Sequence, residues 1–389
     1  MTDTADVIVI GAGVQGASLA FHLASRGARV TVVERSTIAA GATGRSSGLV
    51  RMHYDLLAET KLAWASFPWF TEWADRVGGE CGFTRTGFLW IEPAGGDDRL
   101  RRNVASHREL GIDTTVVDAT EMRGIAPALA VADDELAAYE PESGYADPSG
   151  TAAGFMQAAR RLGATLVQGA EVTAIPVSGG RVAGVETTKG PHSAPVVVDV
   201  AGGWAARIAA LVGLDIPVTV WRHDTGYLGV PGSVPRPIPV VIDNAREMYL
   251  RPEGSELVLI GLEDENELDG SPDRDTTTAR PGFADIATDR IIGRVPALVD
   301  GTFRSAHSGQ DGLTPDQRPI LGPAGPDGFY LDCGHSGTGF KTAPAVGLAM
   351  SELILDGAAR SVDISPFRLE RFAAGELLRG EHGGSPIWR

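Results

Sequence analysis

A single turn between a strand and a helix limits this chain more than any other feature. In DVIVIGAGVQGASLAFHLASRGARVTVVER the apolar run Val7 to Ile10 reads as a buried parallel strand. Gly11, Gly13 and Gly16 follow in G-x-G-x-x-G spacing. Gly11 permits the tight turn, Gly13 lets a pyrophosphate approach the backbone, and Gly16 lets the helix pack closely on the strand. The helix, about Val14 to Arg26, points free N–H groups and its positive dipole end at the phosphates. A second strand, Arg29 to Val33, ends in Glu34, 23 residues after Gly11, whose carboxylate can accept hydrogen bonds from ribose hydroxyls. Glycine spacing alone is a weak signal. After a strand, opening a helix and followed by an acid at this distance, it predicts a dinucleotide site and leaves NAD and FAD both open.

Composition narrows the setting. The chain has 389 residues, 43% hydrophobic and 22% charged, which is ordinary for a globular protein and long enough for two domains or two interleaved ones. Its formal charge of −16 repels nucleic acid and anionic membrane, so neither is an expected partner. An anionic substrate would need a local basic site. Cys81 and Cys333 stand far apart without metal-ligand spacing, so free thiols and no metal are expected. The start lacks the basic-then-apolar pattern of a signal peptide. The most apolar long window, residues 194–214, holds Asp199, Arg207, Gly202 and Gly203, so no membrane span and a cytoplasmic location are expected.

The pieces downstream favour FAD. After Glu34 comes RSTIAAGATGRSSGLVRMHYD, irregular and rich in glycine and serine, where an NAD domain would go straight into another helix and strand. Such a loop can lie along a ribityl chain and flavin ring. Further on, GATLVQGAEVTAI reads as strand, turn and strand, and APVVVDVAGGWAARIAALVG as strand, Gly-Gly turn and helix. Last comes GPDGFYLDCGHSGTGFKTAPAVGLAMSELILDG, a strand over about Gly328 to Asp332, a glycine loop, and a helix over about Thr342 to Leu355. The loop ends in Lys341, one of three lysines among 34 basic residues.

With these pieces the chain resembles the D-amino-acid oxidase and sarcosine oxidase superfamily of FAD-dependent amine oxidoreductases. The resemblance runs from the first strand to the last helix and is most specific in the N-terminal fingerprint, SSGLVRMHY, TPDQRPILG and GHSGTGFKTAPAVG. It implies an α/β fold with a Rossmann-like FAD domain of the glutathione-reductase type, assembled from residues 1–85, 146–220 and 308–389. Residues 86–145 and 221–307 would form an interleaved α+β substrate domain on a mostly antiparallel sheet, with strands in TGFLWIEP, REMYLRPEG and SELVLIGLE. The cofactor residues it implies are Gly11, Gly13, Val14, Gly16, Glu34, Arg35, Arg45, Ser46, Ser47, Gly48, Val172, Ala201, Gly202, Gly337, Thr338, Gly339 and Lys341.

For chemistry, the resemblance implies that Arg51 and Lys341 hold the carboxylate of a small amino acid substrate, with Tyr249 lining the cavity and His53 a further catalytic candidate. Arg222 and His223 read as structural. The expected reaction is hydride transfer from the carbon beside the amine to flavin N5, giving an imine that water hydrolyses. The last helix and Lys341 would stabilise negative charge at the pyrimidine edge of the ring.

The chain also departs from its relatives. Some link flavin through a cysteine near the position of Ser308, others through a histidine at that of Arg45, so noncovalent FAD is expected. Leu259 stands about where some relatives carry an oxygen-activating lysine, which leaves oxygen or another electron carrier open as the acceptor. Thr338 replaces a histidine. The folate-binding half of dimethylglycine dehydrogenases is not in this sequence, so formaldehyde capture on the same chain is not expected. A 2-hydroxy acid could occupy the same clamp, and a flavin-bearing subunit that needs a partner chain is a third alternative.

Overall fold

In the computed structural model, which describes residues 4–93, 95–262, 267, 268 and 270–382, the opening strand Val7–Ile10 is buried at every position. Four consecutive apolar side chains suit a strand covered on both faces. It pairs in parallel with Val30–Glu34 on one side and Val196–Asp199 on the other, so that Ile10 stands level with Val33 and Asp199. Thr165–Gln168 extends the sheet at one edge, and Phe329–Cys333 and Ile320–Pro323 extend it at the other. Only the last pair is antiparallel. The strands' carboxyl ends open on a common crevice, where a ligand binds in open sheets of this kind.

Two helices cover one face at close range. The helix Val14–Ser25 follows the first strand, and the helix Gly339–Asp356 packs on it where no side chain would fit. A Cβ on Gly347 would lie 2.3 Å from Ser18 Oγ and 2.9 Å from Leu19 N. Ser18 Oγ donates to Ala343 O at 2.8 Å across the same contact. A third helix, Leu57–Thr71, joins them through Ser66, whose hydroxyl donates to Thr342 O at 3.1 Å and accepts from Ala345 N at 3.0 Å.

The second large sheet runs, in spatial order, Glu267–Leu268, Thr219–Gly229, Leu257–Leu262, Met248–Glu253, Val240–Asp243, Phe88–Glu92, Leu136–Glu140 and Thr115–Val117. Phe303–Leu313 pairs alongside Thr219–Gly229. Every pairing is antiparallel except that of Val240–Asp243 with Phe88–Glu92. Alternation sends Leu89, Ile91, Val241, Leu250 and Ile260 to a face covered by the helix Phe283–Arg294. Phe88, Trp90, Ile242, Tyr249 and Leu259 form the core of the other face. That second face looks toward the first sheet's crevice. Among the described residues no helix is long and apolar enough to cross a membrane, and Cys81 and Cys333 are free and buried.

One buried charge cluster locks the second sheet to its helix. Arg294 donates from Nε and Nη2 to Asp243 at 2.6 and 3.1 Å, and from Nη1 and Nη2 to Glu135 at 2.8 and 2.7 Å. Burial pushes the Asp243 carboxyl up, which the guanidinium opposes. Removing the cation strands two carboxylates in a low-dielectric interior. Arg294→Met is therefore expected to destabilise the fold by about 3–5 kcal/mol, read as a lower urea midpoint. An unchanged midpoint would contradict this account of the cluster.

Candidate active site

The fingerprint turn is held by backbone meeting backbone. Gly11 adopts φ +112°, and a Cβ there would lie 2.6 Å from Val200 O. A Cβ on Gly16 would lie 2.1 Å from Gly11 O. Glu34 Oε2 accepts from Ala12 N at 2.9 Å and Oε1 from Ser36 N at 2.6 Å, which ties the second strand's end to the turn. Thr43 Oγ1 accepts from Val14 N at 3.0 Å and so brings the glycine-serine loop over the helix start.

From this turn a cavity of about 600 Å³ runs to Lys341. Gly11, Gly13, Val14, Glu34, Arg35, Val172, Ala201 and Gly202 line one end, and Arg45, Ser46 and Ser47 line it further along. Gly337 and Gly339 bring the C-terminal glycine loop to its wall. Asp311 shapes that loop, since Oδ2 accepts from Gly337 N at 2.7 Å and Oδ1 from Gly312 N at 2.8 Å. Gly334 and Gly337 take φ +68° and +86°, the left-handed region in which a side chain is strained. Polar atoms without partners among the described residues also belong to wall residues, among them Gln15 Oε1 and Asp332 Oδ2. A cavity of this volume, lined by the side-chain-free fingerprint turn, the acid that ends the second strand and two glycine-containing loops, fits a dinucleotide.

Arg51, Lys341, Tyr249, His223, Trp221 and Ile242 line the far end. Arg51 follows the short strand Leu49–Val50, which pairs with Gly144–Tyr145. Lys341 lies in the first turn of the last helix. That helix starts at Gly339, three residues before the expected start. Both cations lie over one ring: Arg51 Cζ is 4.2 Å and Lys341 Nζ 5.8 Å from the centroid of Tyr54. Arg51 Nη1 donates to His53 O, while its Nε and Nη2 have no partner among the described residues. Neither cation forms a salt bridge with a described residue. Burial, reinforced by Arg51, holds the Lys341 ammonium well below the ordinary lysine value, partly opposed by Glu59 and Asp311.

Four expected site residues lie behind the wall. Gly16 supports the turn from beneath. Gly48, at φ +68°, would place a Cβ 2.2 Å from Ala146 O. Thr338 is buried with its hydroxyl on His335 O at 2.8 Å. His53 is buried against Trp90 and His107, with ring centroids 5.0 and 4.8 Å away, and burial drives its imidazole well toward the neutral form. The TPDQRPILG segment is a brace. Arg318 pairs with Asp55 at 2.8 Å and Glu59 at 2.9 Å, and Arg371 with Asp316 at 2.7 Å. Sequence reading missed Tyr54, although it is three residues beyond Arg51 in SSGLVRMHY. It also missed Arg251, which faces Leu259 across the sheet and donates from Nε to Ser47 O at 2.5 Å.

The family model described as "DAO: FAD dependent oxidoreductase" matches residues 6–353, and the chain belongs to that family. Sarcosine oxidase subunit beta of Arthrobacter sp is 26% identical, over 98% of this chain and 94% of its own length. Mitochondrial sarcosine dehydrogenase of Homo sapiens is 28% identical over 96% of this chain, which spans only 42% of that protein. Among solved structures, L-proline dehydrogenase from P. horikoshii matches with a TM-score of 0.90 at 26% identity, covering 97% of this chain and 100% of that one.

The lowered lysine generates a pH prediction. Lys341 carries its charge below its pKa and loses it above, so carboxylate affinity should fall as pH rises through the lowered value. Perturbation of flavin absorbance by a small carboxylate reads this directly. Lys341→Met is expected to weaken binding about tenfold or more and to remove that pH limb. The same limb in the variant would assign it to another group.

Proposed function

We propose that this FAD-dependent oxidoreductase oxidises the carbon–nitrogen bond of a small amino acid or N-methyl amino acid, giving an imine. One observation carries the reading: two buried basic side chains with no salt-bridge partner among the described residues line the cavity and share the Tyr54 ring. Unpaired buried charge is costly, and an anionic ligand between the two relieves it. The substrate class named for the relatives, sarcosine and proline, supplies a carboxylate one carbon from an amine.

Gly11, Gly13, Val14 and Glu34 would hold the adenosine diphosphate part of FAD, and Gly337, Gly339 and the 45–47 loop the remainder. When bound, FAD supplies the hydride acceptor. The protein's own work is positional. Arg51 and Lys341, which both line the cavity, would hold the substrate carboxylate between them. Tyr249, Trp221 and Ile242 close the apolar sides and limit the substrate to a small side chain. Burial of Arg51, Lys341, Tyr249 and Ile242 strengthens each charge contact there.

Noncovalent attachment is part of the proposal. Ser308 carries no thiol, and its hydroxyl is engaged with Asp224 and Thr278 O. Arg45 bonds the carbonyls of Ala40 and Gly41. Acid precipitation should release all yellow colour to the supernatant, and colour kept on the pellet would contradict it.

The reaction itself is tested by mixing the holoprotein, without oxygen, with sarcosine, proline, D-amino acids and 2-hydroxyglutarate. Bleaching of flavin absorbance by an amino or N-methyl amino acid is expected. Bleaching by the 2-hydroxy acid alone would overturn the reading. Leu259 brings no charge to the cofactor-facing surface, and Arg251 beside it pairs with Glu253 at 2.6 Å. Reduced enzyme should accordingly reoxidise slowly in air and faster with an artificial acceptor. The reverse order would mean that another cation activates oxygen.

A further inference from the structure

Residues 271–274 connect the second sheet to the first beside the cavity end that Glu34, Val172 and Ala201 line. On the second sheet's side, Gln310 of the strand Phe303–Leu313 is buried and donates from Nε2 to Ser271 O at 3.1 Å and to Arg274 O at 3.3 Å. On the other side the Asp273 carboxylate meets donors from three separate places in the chain. Its Oδ1 accepts from Trp204 Nε1 at 2.8 Å and from Arg35 Nη1 at 2.9 Å, and its Oδ2 from Arg207 Nη1 at 2.5 Å. Arg35 follows the strand Val30–Glu34, Trp204 ends the Gly-Gly turn after Val196–Asp199, and Arg207 lies in the short helix Ala205–Ala210. The Arg35 guanidinium lies over the Trp204 indole, with Cζ 4.5 Å from the ring centroid. The benzene edge of that indole approaches the glycine-serine loop, where a Cβ on Gly41 would lie 3.5 Å from it. Arg35, Gly41, Trp204, Arg207 and Asp273 all line the cavity.

We propose that Asp273 is a positioning residue that holds the Arg35–Trp204 stack closed over the nucleotide end of the cavity and so sets the rate at which FAD leaves. Retention of FAD is independent of which substrate is oxidised. The buried Gln310 amide fixes the backbone on both sides of Asp273, so the carboxylate is a stationary anchor. What it gathers are side chains, and these can swing. The hydrogen bonds from Trp204, Arg207 and Arg35 hold the Asp273 carboxyl below the ordinary carboxylate range, so the anchor stays ionised. The Arg35, Asp273 and Arg207 side chains are nevertheless 43%, 46% and 53% exposed. Ion pairs this open to water are individually weak and are screened by salt. The cover can therefore open without disturbing either sheet.

The test uses the FAD-loaded chain and reads cofactor release rather than turnover. Phosphodiesterase cleaves released FAD to FMN and AMP, which makes release irreversible and raises flavin fluorescence. Wild-type release should quicken about two- to fivefold between about 0.05 and about 0.5 M sodium chloride, as the ion pairs are screened. Asp273→Ala should release FAD about tenfold faster at low salt and lose most of that salt dependence. Asp273→Asn can still accept from the Trp204 indole but carries no charge. Its rate should fall between the two, also with little response to salt. Both loaded variants should keep the wild-type flavin absorbance spectrum. In a Trp204→Leu background, Asp273→Ala should add less than about twofold, because the carboxylate acts through the indole.

Unchanged or slower release from Asp273→Ala would overturn the proposal. Slower release would mean that Arg35 and Arg207, once freed, bind the cofactor phosphates directly. A salt dependence kept in full by Asp273→Ala, or an equal gain in the Trp204→Leu background, would overturn it as well. FAD that no variant releases, even on acid precipitation, would overturn noncovalent attachment and this proposal with it. Faster release from Asp273→Ala without bleaching by any amine would leave this inference standing and overturn the proposed reaction.

Discussion

The molecule is organised by backbone contacts that tolerate no side chain. Gly16 rests on the carbonyl of Gly11, and Gly11 on that of Val200. These contacts bring the first helix down onto the first strand and set the turn that faces the crevice. One further contact, Gly347 on Ser18 and Leu19, lets the last helix lie against the first. Lys341 rides on that last helix. The position of a side chain at the cavity's far end thus depends on glycines at its near end, and a methyl group at any of the three sites would be transmitted along a helix to the clamp.

Charge is the second theme. Elsewhere in the fold, buried cations are met by carboxylates: Arg294 by Asp243 and Glu135, Arg318 by Asp55 and Glu59, Arg371 by Asp316. Arg51 and Lys341 are treated differently. Both are nearly inaccessible, at 1% and 6% exposure, and what they share is an aromatic face. A ring quadrupole offsets part of the desolvation of a cation without neutralising it. The arrangement leaves two basic side chains without a salt bridge to a described residue in a chain whose net charge is strongly negative. That combination suits the small carboxylate of the proposed reaction.

Much of this was legible in the sequence, for reasons that differ by element. The first strand and helix announce themselves because apolar runs, glycine spacing and a terminal acid are all local. The antiparallel strands at Phe88–Glu92, Met248–Glu253 and Leu257–Leu262 are legible from alternation and a Pro-Glu-Gly turn. The convergence of Arg51 and Lys341 in one cavity followed only from resemblance, since no periodicity links positions so far apart. The start of the last helix was set too late because two glycines, Gly337 and Gly339, suggest loop, yet tertiary packing makes Gly339 helical. Tyr54 and His223 were hidden for a plainer reason. An aromatic or a histidine in an apolar stretch looks like core until its neighbours from other strands are known.

The central claim is that one substrate carboxylate bridges Arg51 and Lys341. The most direct measurement is a crystal structure of the FAD-loaded chain soaked with furan-2-carboxylate. The account predicts carboxylate oxygens within hydrogen-bonding distance of both the Arg51 guanidinium and the Lys341 ammonium, with the ring lying along the Tyr249 wall. A carboxylate bound elsewhere in the cavity, with both cations untouched, would contradict it.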